Sequence, residues 1–115
     1  MAPAQASLLA KLDTQQRVRD FLTNAIANGR ASHAYLFLGA PGAGKLDAAW
    51  ALAQAFLCEQ GGCGSCDSCV RVARHTHPDV HYYTPESATG YLIAQTRELL
   101  DDVPLAPIRA KAKVY

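Results

Sequence analysis

Apolar residues recur along this chain with more than one spacing. Val18, Phe21, Leu22, Ala25 and Ile26 fall three and four residues apart, which predicts an amphipathic helix. Asp13 can cap its start with Gln16 answering three residues on, and Gly29 ends it. Ala34-Tyr35-Leu36-Phe37-Leu38 is instead a short unbroken apolar run with two aromatics, and it predicts a first strand. Helical spacing returns with Leu46, Ala49, Leu52, Ala53, Phe56 and Leu57, with Trp50 packed or at an interface. After Cys58 the periodicity breaks, and Gly, Ser and Asp predict turns in place of core. Val80 to Thr84, bounded by Pro78 and Pro85, predicts a second strand. Leu92, Thr96, Leu99 and Val103, with Ile93 and Leu100 beside them, predict a third helix that Pro104 closes. Lys113-Val114-Tyr115 then opens another extended run. Strands alternating with helices predict an α/β protein whose parallel sheet needs helical cover on both faces.

Composition narrows the function classes. The chain has 115 residues, 50% of them hydrophobic, which suits one domain with a sizeable core. A formal charge of +1 gives no global attraction to nucleic acid or membrane, so any DNA contact needs a local patch. Arg71 and Arg74, and Arg109, Lys111 and Lys113, are basic runs short enough to read as solvated surface. No stretch approaches membrane-spanning length, and Met1 to Leu12 has no basic leader, so a soluble intracellular protein is expected. Neither an internal repeat nor a low-complexity linker interrupts the chain.

The first candidate chemistry lies between the first strand and the helix after it. Gly39, Ala40, Pro41, Gly42, Ala43, Gly44, Lys45 and Leu46 give the spacing G-x-x-x-x-G-K of a phosphate-binding P-loop, the Walker A motif. Glycine lets successive backbone N–H groups turn inward around a phosphate, the helix N-terminus adds partial positive charge, and Lys45 would reach the outer phosphates of ATP. The motif normally continues with Ser or Thr, whose hydroxyl binds Mg²⁺. Leu46 stands there instead, so the expectation is a loop impaired in Mg²⁺-dependent hydrolysis.

The second is a cysteine cluster. All four cysteines lie within a short glycine-bearing segment, as Cys58, Cys63, Cys66 and Cys69. Such a layout is poor for disulfide staples and good for a metal. Gly61, Gly62 and Gly64 allow the tight turns of tetrahedral coordination, and zinc is the natural occupant. With four sulfurs there is no open position for a catalytic water, so the ion would fold the segment. Redox-active pairs, plain reduced thiols and an iron–sulfur cluster are the other readings of the same spacing. His75 and His77 are spare ligands, His33 and His81 read as structural histidines, and Asp101-Asp102 reads as a solvent-facing helix end.

Together these segments resemble a known family. The order His33 to Phe37, glycine loop, helix, spaced cysteines, His77-Pro78-Asp79-Val80-His81, a helix carrying Arg97-Glu98-Leu99, and Lys113-Val114-Tyr115 is similar to the bacterial DNA polymerase III clamp-loader subunits of the δ′ and γ/τ type, which are AAA+ proteins. The resemblance runs from about Asp13 to Tyr115. It implies a truncated P-loop NTPase domain: residues 1–115 as the N-terminal part of an AAA+ domain ending before Walker B, with residues 58–77 as a zinc-binding insertion. In that family δ′ subunits often carry a degenerate loop, so Leu46 points to δ′, with help from Pro85-Glu86-Ser87 and Leu105-Ala106-Pro107.

The function so implied is a part in DNA replication, within the DNA polymerase III holoenzyme. The chain would help load the sliding clamp onto primer–template DNA, in the cytoplasm at the replication fork, in a hetero-oligomer with the other clamp-loader subunits. Zinc would be structural, Leu46 would put the binding of ATP and Mg²⁺ in doubt, and Val18 would be either a neighbour of the adenine pocket or an ordinary core valine. The alternatives are an ATP-hydrolysing γ/τ-type subunit and a zinc-ribbon nucleic-acid-binding module. The family's sheet order would place a later strand beside residues 34 to 38, so these 115 residues are expected to fold poorly alone.

Overall fold

In the computed structural model residues 7–12 and 15–115 are described. They fall into two compact units, divided between His77 and Pro78. The expected helix cap at Asp13 lies outside the described residues.

The first unit is built on helices. A 3-10 turn at Leu9–Lys11 is followed by α1 (Gln16–Ala27), α2 (Lys45–Leu57) and α3 (Asp67–Ala73). Helix α1 stops where the chain turns left-handed at Gly29, φ 64°, which lets Arg30 N–H reach back to the Ala25 carbonyl at 2.8 Å. Helix α2 packs against α1, α3 and the 3-10 turn. Its alanines Ala48, Ala51 and Ala55 allow this close approach, and Leu9, Leu12 and Leu22 fill the space against them. Leu22 is 1% exposed, and removing a leucine side chain from water contributes about 1.5–3 kcal/mol. Phe21, placed by its spacing on the buried face of α1, is exposed.

The expected fold class does not hold. No strand forms among the described residues, so the parallel sheet is absent, and with it the P-loop NTPase or AAA+ fold. P-loop and Walker A are therefore not descriptions of the loop at residues 39–46. The reason is visible at Ala34 to Leu38. Tyr35 and Phe37 pack on the core while Leu36 and Leu38 stay 81% and 83% exposed, so the side chains alternate as in a strand. A strand also needs a neighbour for its backbone, and no described segment pairs with this one.

In the second unit α4 (Ile93–Asp102) is the single helix among the described residues. The expected strands at 80–84 and 113–115 meet in one parallel bridge between Val80 and Val114. His81 N–H reaches the Val114 carbonyl at 2.8 Å, and Val114 N–H the Asp79 carbonyl at 2.9 Å. Pairing stops there because the chain around it is held by side chains. Asp79, fully buried, accepts from the N–H groups of Ile108, Arg109 and Ala110 at 2.6–2.7 Å. Asp102, read from the sequence as solvent-facing, is half-buried and accepts from Lys113 Nζ at 3.2 Å and from the Tyr115 hydroxyl. His81 stacks on Tyr115, with ring centroids 4.9 Å apart. The start of α4 is capped by Gln95, whose Oε1 accepts from Leu92 N–H at 3.0 Å.

Candidate metal centre

The cysteine segment owes its shape to glycine turns and a short helix that the hydrophobic pattern does not reveal. Helix α2 ends at Cys58, and the chain doubles back through Gly61 and Gly62. Gly62 has φ 102°, a left-handed conformation that strains any L side chain, and a Cβ there would press on the Ala55 backbone at 3.3 Å. Cys66 then caps α3, its sulfur accepting from Cys69 N–H at 3.4 Å. Asp67 and Arg71 pair across one turn at 2.9 Å. The readable signal for α3 was Asp67 and Arg71 at this spacing around Val70 and Val72.

Helix α2, the turns and α3 bring Cys58, Cys63, Cys66 and Cys69 together, all four sulfurs within 4.8 Å of one another. Cys58 Sγ and Cys66 Sγ are 3.8 Å apart, and Cys63 Sγ and Cys69 Sγ 4.0 Å. A disulfide would need about 2 Å. A tetrahedron of sulfurs about 2.3 Å from a zinc ion has edges of about 3.8 Å, close to the 3.8 and 4.0 Å of these two pairs. Backbone donors complete the fit. Gln60 and Cys63 N–H point at Cys58 Sγ at 3.3 and 3.4 Å, while Ser65 and Cys66 N–H point at Cys63 Sγ at 3.5 and 3.3 Å. Such donors stabilise thiolates, the form that binds metal.

The thiols are not equivalent. Burial pushes Cys58 up, but N–H donors from Cys63, Gly62 and Gln60 outweigh it and leave the thiol below its ordinary value. Cys63 is brought down to about 6, first by the Ser65 N–H, then by the Ser65 hydroxyl and the Cys66 N–H. Burial raises Cys66 and, more strongly, Cys69, which is fully buried. A cation among the sulfurs would offset that burial cost. The donor set and its geometry fit a structural zinc ion held by all four residues. Neither spare histidine joins the sulfur group: His75 stacks flat on Trp50, centroids 3.8 Å apart, and His77 is buried outside the cluster.

The glycine loop is organised differently. Gly39, Ala40, Pro41 and Gly42 are exposed, Ala43 and Gly44 half-buried, and Gly44 begins α2 with φ 93°. Lys45 Nζ donates to the Gly39 carbonyl at 2.8 Å, spanning the loop, and Gln15 Nε2 donates to the Ala43 carbonyl at 3.1 Å. Leu46 is 50% exposed on the first turn of α2 and has no hydroxyl to give a metal. Val18, by contrast, packs against the core of the first unit.

Residues 14–115 match the protein family described as DNA polymerase III, delta subunit. The chain is 40% identical over 106 residues to the DNA polymerase III subunit delta′ of Bacillus subtilis, covering 90% of this chain and 32% of that protein. It is 39% identical over 105 residues to subunit tau of Escherichia coli, covering 88% of this chain and 16% of that one. With subunit gamma/tau of Mycobacterium tuberculosis the identity is 34% over 110 residues, 92% of this chain and 19% of the relative. This chain belongs to the DNA polymerase III clamp-loader subunit family, the group of delta, delta′, tau and gamma subunits. It spans about a third or less of the length of these relatives. No helix among the described residues is long and apolar enough to cross a membrane.

Proposed function

We propose that this chain serves DNA replication in bacteria as part of a delta′-like clamp-loader subunit. In that role it helps load the sliding clamp onto primer–template DNA and does not itself hydrolyse ATP. Its partners are the other clamp-loader subunits, in the cytoplasm at the replication fork. The observation that carries this reading is the family match over residues 14–115 combined with Leu46 directly after Lys45. Lys45 already has an acceptor in Gly39, and the next side chain offers no ligand to Mg²⁺. Residues 39–46 are then an architectural loop, and the zinc-binding residues 58–77 brace the end of α2.

The second reading is an ATP-hydrolysing gamma/tau-type subunit with Gly39 to Leu46 on the nucleotide, kept because the identity to tau, 39%, is nearly that to delta′, 40%. Calorimetry with ATP and Mg²⁺ on the full-length subunit separates the two. The delta′-like reading expects no binding by the natural protein. Micromolar binding by the natural protein, abolished in Lys45→Ala, overturns it in favour of the ATPase.

A further inference from the structure

Gln54 is a polar residue on the most buried stretch of α2, between Ala53 and Ala55, and is itself 1% exposed. Its amide is used at both ends. Oε1 accepts from the N–H of Leu8 at 2.8 Å, just ahead of the 3-10 turn. Nε2 donates to the carbonyl of Cys69 at 3.0 Å, inside α3. The side-chain amide presents a donor and an acceptor on one planar group. A buried amide so placed is costly unless both bonds persist together.

Cys69 is one of the four sulfur donors, so the carbonyl that Gln54 holds belongs to a residue whose position depends on the metal. We infer that Gln54 is a positioning residue coupling zinc at the four-cysteine site to the 3-10 turn Leu9–Lys11. The inference rests on the zinc reading of the cysteine cluster. With zinc bound, the Cys69 backbone is fixed and its carbonyl orients the Gln54 amide, which in turn presents Oε1 to Leu8. Without zinc the Cys69 carbonyl is released, the amide loses its orientation, and Leu8 N–H loses its acceptor. Linkage makes the effect reciprocal, so whatever weakens the Leu8 bond weakens zinc binding by the same factor.

The test is amide hydrogen exchange at Leu8 and Leu12 on the purified protein, with Zn²⁺ added or removed by a chelator, in the natural sequence and in Gln54→Met. The Val103 amide, bonded to the Leu99 carbonyl in the second unit, is the internal control. The coupling predicts that chelation speeds exchange at Leu8 about five- to ten-fold in the natural protein, as expected for one lost hydrogen bond. In Gln54→Met exchange at Leu8 is already fast and indifferent to zinc, and Zn²⁺ affinity falls by a similar factor. Unchanged exchange at Leu8 on chelation of the natural protein overturns the inference without any need for the variant to fold. An equal zinc response in Gln54→Met also overturns it, because the coupling would then run through packing alone. Failure to bind Zn²⁺ at all overturns both the inference and the zinc reading beneath it.

Discussion

The sulfurs of Cys58 and Cys66 stand 3.8 Å apart although eight positions separate the residues, with Cys58 at the end of α2 and Cys66 capping α3. Little besides a metal would gather four such thiols. The purified protein is expected to carry one zinc ion per chain, and Cys58→Ser to weaken its affinity by at least about 100-fold, more than the loss of a supporting hydrogen bond costs. Chelation should melt α3, whose seven residues are too few to persist alone. Zinc analysis and circular dichroism before and after chelation check both. Unchanged helicity without metal would mean that the segment holds itself.

While α3 is still folded, Cys63 is expected to be the first thiol to react as zinc is withdrawn. The Ser65 N–H, the Ser65 hydroxyl and the Cys66 N–H bring it to about 6, so it is mostly thiolate at neutral pH, whereas burial raises Cys69. Iodoacetamide at pH 7, pulsed as chelator is added and before helicity is lost, followed by peptide mass mapping, should label Cys63 well ahead of Cys69. Labelling of Cys63 should fade as the pH falls through about 6. Zinc should suppress it in the loaded protein.

What could be read in advance differs between local and non-local features. The spacing of Cys58, Cys63, Cys66 and Cys69 encodes a site within one short segment, and the structure assembles it there. Helical periods at α1 and α2 were legible too, because a helix satisfies its backbone within itself. The strand expectation at Ala34 to Leu38 captured the alternation of Tyr35 and Phe37 against Leu36 and Leu38 but not the missing neighbour, since pairing is a property of two segments. Helix α3 was missed because its support comes from the Cys66 sulfur and the Gln54 amide rather than from periodicity. Gln54 itself was a readable signal, a lone amide in the middle of an apolar helix.

Asp79 gathers three backbone donors from residues 108–110 while fully buried. Asp79→Asn keeps the shape and replaces one acceptor oxygen with an NH₂ group, turning a donor toward N–H groups that already donate. Each buried donor left unsatisfied costs about 1–3 kcal/mol. The variant should therefore lose about 2–5 kcal/mol of stability, and amide exchange at residues 108–110 should accelerate more than in α4. Denaturant unfolding and exchange measurements check this, and a loss confined to α4 would contradict it.

Tyr115 and Asp102 shift each other in opposite directions. Burial first, then the bond to Asp102, raises the Tyr115 hydroxyl to about 12, while the Tyr115 hydrogen bond is the main influence holding the Asp102 carboxyl below its ordinary value. A raised phenol stabilises the fold in full below the ordinary tyrosine value of 10.0, and that contribution is lost as the pH rises through about 12. A depressed carboxyl stabilises it above the ordinary 3.8, and that contribution is lost as the pH falls below it. The contact should therefore hold between those limits and weaken in acid as Asp102 takes up a proton, while Lys113 keeps its 2.6 Å bond to the Asp102 backbone carbonyl. In Asp102→Asn the hydroxyl keeps its burial but loses the charged acceptor. Its titration, followed by phenolate absorbance against a Tyr115→Phe control, should drop to between 10 and 12. An unshifted titration would assign the whole effect to burial.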